Sequence, residues 1–185
     1  MDPGELSLPM IDNHYVRMMA RYNRWQNRVA FMAAHGLDDA QRRADRGAFF
    51  GSIHRTLAHL LWADRIWFSR FDQCPPPGVP LAESGGFVTE WTDLTAQRTA
   101  MDGVILAWAD DHTAGPVGGA LTWFSGVAGR EVTAPLGVVI PHIFNHQTHH
   151  RGQVHAMLTA AGATTQDSDL FLMPPADWGG VSPSP

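Results

Sequence analysis

The sequence predicts an all-α protein, a four-helix bundle with a small hairpin or irregular insert before the last helix. Two observations support this fold class. Four long segments repeat apolar residues at steps of three and four, which is the period of an amphipathic helix. One proline- and glycine-rich connection and one short alternating segment separate them, as in a bundle with irregular connections. The length of 185 residues suits a single domain spanning residues 1–185.

The first helix is predicted to begin after Asp12 and Asn13, since either side chain can cap a helix. His35 supplies a cation in the last turn, and Gly36 is predicted to end the helix in a left-handed conformation. Four arginines between residues 17 and 28 lie off the apolar stripe and indicate a solvated face. The predicted buried stripe consists of Tyr15, Met18, Met19, Tyr22, Trp25, Val29 and Met32.

A polar connection over residues 37–46 leads to the second helix, which is predicted between Phe49 and Phe68. His59 lies at the edge of its apolar stripe. Residues 72–88 are rich in proline and glycine, which predicts a long surface loop without regular structure. The stripe itself comprises Ile53, Leu57, Leu60, Leu61 and Trp67.

The third helix is predicted from about Thr89 to about Asp110. Residues 120–133 then indicate two short strands around a glycine-containing turn. Because an isolated hairpin is only marginally stable, these strands are expected to pack against the helices.

The fourth helix can begin near Pro135, capped by Thr133, or at Pro141, because proline is favourable at the first helical position. The earlier start is preferred, with Pro141 bending the helix at a cost of about 3 kcal/mol. Gly162 is predicted to end this helix, and residues 163–185 to form an irregular tail.

Composition excludes several classes of function. The net charge of −5 comes without a basic stripe, so no nucleic-acid partner is expected. The sequence shows neither a signal peptide nor an apolar run of about 20 residues, which predicts a cytoplasmic protein without a membrane partner. Cys74 is the one cysteine and is interpreted as a free thiol rather than a nucleophile. Seven tryptophans are more than one small bundle core readily hides, which favours a homodimer.

The segment from residue 141 to 153 contains the strongest chemical signal. His146 and His150 are separated by four residues, so on a helix they share one face, one turn apart. Neutral imidazole is a ligand for zinc, nickel, copper and iron, and His59 is the candidate third ligand. The alternative is that these histidines are hydrogen-bonded structural residues. Three histidines would leave a coordination position open, as catalytic metal sites do.

Other residues near this pair are assigned less directly. His142 lies one turn before His146 and is interpreted as a fourth ligand, a supporting residue or a surface residue. His149 points about 100° away from His150 and is not expected to reach the same ion. Position 147 is glutamine, so the pattern is not that of a zincin protease, whose glutamate is the general base. Asp64, Asn145, Arg151 and Gln153 are candidates for hydrogen bonding to the ligands.

Three blocks of the chain resemble the DinB-like (YfiT-like) family of metalloenzymes. These are residues 20–25 (Ala-Arg-Tyr-Asn-Arg-Trp), residues 47–67, and residues 145–153 (Asn-His-Gln-Thr-His-His-Arg-Gly-Gln). The blocks fall in the first, second and fourth predicted helices, so the resemblance covers nearly the whole chain. Each block alone is only suggestive, whereas their combination is specific.

The resemblance implies a four-helix bundle, often dimeric, that binds a divalent ion such as nickel or zinc. One ligand comes from the second helix and two from the fourth, which correspond to His59, His146 and His150. Relatives include S-transferases and an isomerase that use low-molecular-weight thiols such as mycothiol or bacillithiol. The expected partners are therefore such a thiol and a small electrophilic substrate. The alternatives are a metal-dependent hydrolase and a non-catalytic, metal-stabilised bundle.

Overall fold

The computed structural model describes residues 11–111 and 117–179. Their order is helix, short helix, helix, helix, hairpin, helix. The elements are α1 (Asn13–His35), α2 (Asp39–Arg43), α3 (Ile53–Ser69), α4 (Trp91–Asp111), β1 (Ala120–Ser125), β2 (Arg130–Pro135) and α5 (Leu136–Ala160).

The four long helices form a bundle, as predicted. Both α1 and α3 pack against α4 and against α5, so α3 and α5 are direct neighbours. The strands β1 and β2 pair antiparallel, with Ala120 opposite Pro135 and Ser125 opposite Arg130. The predicted insert before the last helix is therefore a hairpin. The largest fully buried apolar side chains are Phe68, Phe144, Ile53, Leu57, Leu60, Leu61, Leu94, Ile105, Ile140 and Leu158.

Helix α1 begins as predicted, because the Asp12 side chain accepts a hydrogen bond from the Tyr15 backbone N–H at 2.9 Å. Its predicted stripe is wrong at both of its edges, since Met18 and Met32 are exposed. The helix buries small and amide residues on the face that meets α4 and α5, which turns these methionines outward. The most buried residues of α1 are Val16, Ala20, Asn23, Asn27 and Ala34.

The ends of α1 also differ from the prediction. Gly36 follows the last helical residue but has φ −69°, so the predicted left-handed conformation is wrong. The arginine face is not simply solvated. Arg21 contacts Asp110 at 2.9 Å, and Arg24 and Arg28 both contact Asp177 near the C-terminus.

Two stretches predicted without regular structure contain short helical turns. Within residues 37–46, α2 begins with a capping box in which Asp38 and Gln41 bond reciprocally. Within residues 72–88, Leu81–Gly86 forms a 3-10 helix. Helix α3 begins at Ile53, later than predicted, because Ser52 caps the backbone N–H of Arg55.

Helix α5 confirms the earlier of the two predicted starts and contains Pro141. The predicted cap is wrong, because Thr133 lies in β2 opposite Thr122. Gly162 follows the helix with φ +79°, a left-handed conformation that ends it as predicted. The tail contains short 3-10 turns at Leu170–Leu172 and Pro175–Asp177, and residues 180–185 lie outside the described residues.

All seven tryptophans are buried or half-buried within one chain. The count that favoured a dimer is therefore accommodated by the core, the hairpin and the docked tail. Trp178, for example, donates its indole N–H to the backbone oxygen of Met173 at 2.6 Å. None of the helices in the described ranges has the length and apolarity required to span a bilayer.

Candidate metal centre

Helices α3 and α5 bring three histidines together where they pack. His59 comes from the middle of α3, and His146 and His150 come from successive turns of α5. The Nε2 atoms of His59 and His146 are 3.3 Å apart. One ring nitrogen from each of the three histidines lies within 4.8 Å of the other two. The one-turn spacing and the predicted third residue therefore meet at one point.

Hydrogen bonds fix the orientation of two of these rings. The Nδ1 atom of His59 lies 2.9 Å from the hydroxyl oxygen of Ser84, which is fully buried. The Nδ1 atom of His150 lies 3.0 Å from the side-chain oxygen of Gln153. When each Nδ1 carries the proton, Nε2 keeps its lone pair for a ligand. Such outer contacts orient metal-binding histidines in general.

Aromatic rings enclose the site on the α3 side. The ring of Phe50 stacks on the ring of His59, with centroids 4.0 Å apart. Trp62 stacks at 6.0 Å from the same imidazole. Phe50 lies in a turn closed by Gly51, whose φ of +80° strongly favours glycine. These rings exclude water from the imidazoles and lower the local polarity.

The three imidazoles are held in their neutral form. Burial, with smaller repulsion from His146 and His150, lowers the pKa of His59 to about 3. Burial and the neighbouring histidines lower the pKa of His146 to about 4. Burial also lowers the pKa of His150. Neutral imidazole is the form that binds a metal ion, so the environment prepares these side chains for ligation.

The donor set fits a divalent metal ion. Two nitrogens bound tetrahedrally at about 2.0–2.1 Å from one zinc ion lie about 3.4 Å apart. The Nε2 atoms of His59 and His146 are separated by 3.3 Å. Two neutral imidazoles at this distance either share a proton, with Nε2–H of one ring donating to Nε2 of the other, or direct both lone pairs at a cation. A metal ion satisfies both nitrogens.

The remaining histidines of this region lie outside the group. His142 contacts Trp67, with ring centroids 5.4 Å apart, and its ring is 6.1 Å from that of His146. His149 is exposed, contacts Gln153 and lies outside the group of three, in agreement with the prediction that it does not reach the same ion. His54 is buried on another face of α3, where its Nε2 lies 2.9 Å from the backbone oxygen of Val88.

The candidates for hydrogen bonding to the ligands have different outcomes. Gln153 contacts His150 as predicted. Asn145 is exposed.

Asp64 and Arg151 belong instead to a buried polar network in the bundle core. In that network the amide of Gln147 donates to Asp64 at 2.6 Å, and Arg98 contacts both Asp64 and Asp102. Asn23 and Asn27 of α1 accept from Arg151, and Asn27 donates to Asp102.

Sequence reasoning missed Ser84 and Phe50. Ser84 is 25 residues away from His59 in a loop, where no periodicity predicts which side chain turns inward. Phe50 was placed inside the second helix, whereas the structure places it in the preceding turn. The glycines on both sides of Ala48, Phe49 and Phe50 are the one signal that indicated a turn there.

Comparisons with known proteins identify a family. The model of the DinB family matches residues 10–178, which is most of the chain and includes all three histidines. No curated protein and no solved structure matches the chain.

Proposed function

The chain belongs to the DinB family, and we propose that it is a metal-dependent enzyme of the thiol S-transferase type. In this proposal His59, His146 and His150 hold one divalent ion, nickel or zinc. A low-molecular-weight thiol and a small electrophile are the reactants. The observation that carries the proposal is the convergence of three neutral ring nitrogens within 4.8 Å of one another.

The reaction needs a thiolate, which attacks an electrophilic carbon, forms a carbon–sulfur bond and displaces a leaving group or adds to a double bond. His59, His146 and His150 would hold the divalent ion, which would supply a lowered pKa to a bound thiol and so favour the thiolate. Ser84 and Gln153 keep the two imidazoles turned toward the ion. Phe50 and Trp62 exclude water from the site, which limits competing hydrolysis.

The nucleophile has to come from outside the chain. Cys74 is the one cysteine, and its thiol donates to the backbone oxygen of Arg65 at 3.7 Å. Burial raises the pKa of Cys74, so its thiolate form is disfavoured. A small thiol is therefore required for sulfur chemistry.

The alternative of metal-assisted hydrolysis needs either a base near the ion or a water molecule bound at its open coordination position. Within the described parts of the chain, the histidine group includes no carboxylate. Asp64, the acid nearest in sequence to His59 on α3, is occupied by Arg98 and Gln147. A hydrolase built on these residues would therefore depend on metal-bound water rather than on a carboxylate base.

A thiol panel with an alkylating electrophile tests the proposal. Nickel- or zinc-loaded protein should accelerate bimane alkylation of at least one small thiol, and neither metal-free protein nor His150→Ala should do so. Acceleration of ester or amide hydrolysis without any thiol would favour the hydrolase. Absence of both activities, with loss of cooperative melting on chelation, would favour a non-catalytic, metal-stabilised bundle.

The homodimer remains a prediction that follows from the family resemblance. Apolar side chains are exposed on α1 and on the tail, among them Met18 and Phe171. Light scattering at micromolar concentration tests the assembly, and a mass equal to that of one chain would contradict it.

A further inference from the structure

Arg70 follows the last residue of α3 and packs against two indole rings that contact each other. Its guanidinium carbon is 4.2 Å from the ring centroid of Trp67 and 5.5 Å from that of Trp123. The two indoles contact each other edge to face, with centroids 5.2 Å apart. Because Trp123 belongs to β1, the hairpin and α3 each supply one of the two rings against which Arg70 packs.

This cation has no anionic partner in the described ranges. The ion pairs there involve seven other arginines, and the Arg70 side chain makes no hydrogen bond within the described ranges. Burial alone lowers the pKa of Arg70, without a compensating carboxylate. Stacking on indoles stabilises a guanidinium but leaves its N–H donors unpaired. A half-buried cation of this kind is a ready binding site for an anion.

Trp67 connects Arg70 to the histidine group through ring contacts. The ring of Trp67 contacts His142, with centroids 5.4 Å apart, and His142 is followed by His146 one turn later on α5. A thiol held at the three histidines has to place the rest of its molecule along a neighbouring surface. The surface formed by His142 and Trp67 leads from the histidines to Arg70.

We propose that Arg70, packed against Trp67 and Trp123, binds a carboxylate carried by the thiol whose sulfur lies at His59, His146 and His150. The substrate class is thus an anionic thiol, with Arg70 as a residue that determines specificity. The half of this inference that concerns sulfur rests on the proposed function. The inference that Arg70 binds a carboxylate rests only on the packing of Arg70 against the two indoles.

A purely structural role for Arg70 predicts different behaviour. Arg70 caps the C-terminal end of α3, where any cation interacts favourably with the helix dipole. Lysine would preserve that interaction, but it lacks the planar, two-pronged geometry that stacks on indoles and binds carboxylates. Binding of carboxylates, compared between Arg70→Lys and Arg70→Met, therefore separates the two roles.

The first experiment uses metal-free protein and a probe without sulfur. Hexanoate is titrated while the tryptophan fluorescence is recorded, and the neutral hexanamide serves as the matched compound. Hexanoate should produce a saturable change in wild type, and Arg70→Met should weaken it about tenfold or more, the loss expected for a hydrogen-bonded charge pair. Equal responses to the acid and the amide in wild type would overturn the proposal.

The second experiment uses cobalt-loaded protein and ω-mercaptoalkanoic acids of increasing length, each compared with its methyl ester. The sulfur-to-cobalt absorption band reports the thiol at the histidines. Wild type should prefer the acid about tenfold or more at one optimal length, and Arg70→Met should lose this preference while its affinity for the ester is unchanged. A preference retained in Arg70→Met would overturn the proposal.

Arg65→Met is the matched control, since Arg65 lies on the same helix, contacts Gln97 and packs over Phe87. It should retain both responses, and circular dichroism should show that all variants are folded. If hexanoate binds through Arg70 but no thiol changes the cobalt spectrum, the proposed function fails and the carboxylate site stands. If thiols bind cobalt but the acids bind no more tightly than their methyl esters, only the proposal for Arg70 fails.

Discussion

Helix α5 contributes a pair of residues to each of two polar clusters. The two pairs have the same spacing, but their polar atoms find different kinds of partner. His146 and His150 face α3 and join His59, whereas Gln147 and Arg151, the next residue in each turn, face the core. Both pairs are separated by four residues. In the core, Gln147 reaches Asp64 at 2.6 Å, and Arg151 reaches Asn27 at 3.2 Å. The histidine cluster instead turns its ring nitrogens toward one another.

The difference lies in where the partners of the polar atoms are found. The core network contains its own counter-charges, because Arg98 contacts Asp64 and Asp102 at 2.7 and 2.9 Å. The histidine nitrogens converge at 3.3 Å without an opposite charge among them. A cluster whose opposite charges pair within the chain stabilises the fold, whereas ring nitrogens that converge on one point can bind a cation. Spacing on a helix does not distinguish these cases, but the chemical types of the facing groups do.

Removing a charge from the core network should have the largest effect on stability. Arg98→Met leaves the buried carboxylates of Asp64 and Asp102 without their cation, which should lower the free energy of unfolding by about 3–5 kcal/mol. Denaturant unfolding of the metal-free protein measures this loss. Arg28→Met is the control, because its ion pair with Asp177 is exposed and should contribute less than about 1 kcal/mol. Equal losses in the two variants would break the comparison.

Removing a histidine should instead act on metal affinity. His59→Ala should reduce the affinity for nickel or zinc more than about a hundredfold, beyond the loss typical of an outer contact, while the bundle remains folded. His54→Ala is the matched control, since His54 is equally buried on α3 but bonds to Val88. It should lower stability and leave metal affinity nearly unchanged. Metal titration with circular dichroism checks both, and a dispensable His59 would contradict the assignment.

His146→Ala and His150→Ala should likewise lose the ion. Elemental analysis after chelation and reloading should give about one ion per wild-type chain, as one three-histidine site requires, and close to none in either variant. The same metal content in wild type and His150→Ala would contradict the site.

A smaller effect is expected from the hydroxyl that orients His59. Ser84→Ala removes the partner of Nδ1 and should weaken metal binding by about 10–100-fold. Ser69→Ala, at the far end of α3, removes only a bond to the backbone oxygen of Ile66 and should leave affinity unchanged. If Ser84→Ala binds metal as wild type does, the orientation of His59 is set by packing against Phe50 alone.

The stability of the metal-free protein should also depend on pH. An unfolded histidine has a pKa of about 6.5, whereas the folded pKa values are about 3 for His59 and about 4 for His146. Between these values the unfolded state binds more protons, so the stability of the metal-free protein should fall as the pH decreases below about 6.5. Denaturation midpoints at several pH values should show a weaker dependence in His59→Ala. A dependence unchanged by this substitution would contradict the lowered pKa.

Metal retention should decrease in the same direction, because a ring nitrogen cannot hold a proton and a metal ion together. Dialysis at decreasing pH followed by elemental analysis measures it. Retention that stays the same as the pH decreases well below 3, past the pKa values of these histidines, would contradict histidine ligands.

The bundle and the histidine trio were predictable because both depend on helical periodicity. Apolar repeats located the four long helices, and the four-residue step placed His146 beside His150. The outer contacts were not predictable in this way. Ser84 contacts His59 from a loop, and Arg98 of α4 forms an ion pair with Asp64 of α3. Neither contact follows from the spacing of residues within one segment. The exposed Met18 and Met32 illustrate the same limit, because which face of α1 is buried depends on its neighbours.

The hydrogen bond between Ser84 and His59 ties the loop over residues 72–88 to the site, and the indole N–H of Trp62 bonds to Val79 in the same loop. Thermodynamic coupling of this kind is reciprocal. If an ordered loop favours metal binding, then the ion also favours the ordered loop, and backbone amides near Ser84 should exchange hydrogen for deuterium more slowly in loaded protein. Slower hydrogen exchange in this proline- and glycine-rich loop would therefore indicate that a metal ion is bound at the histidines.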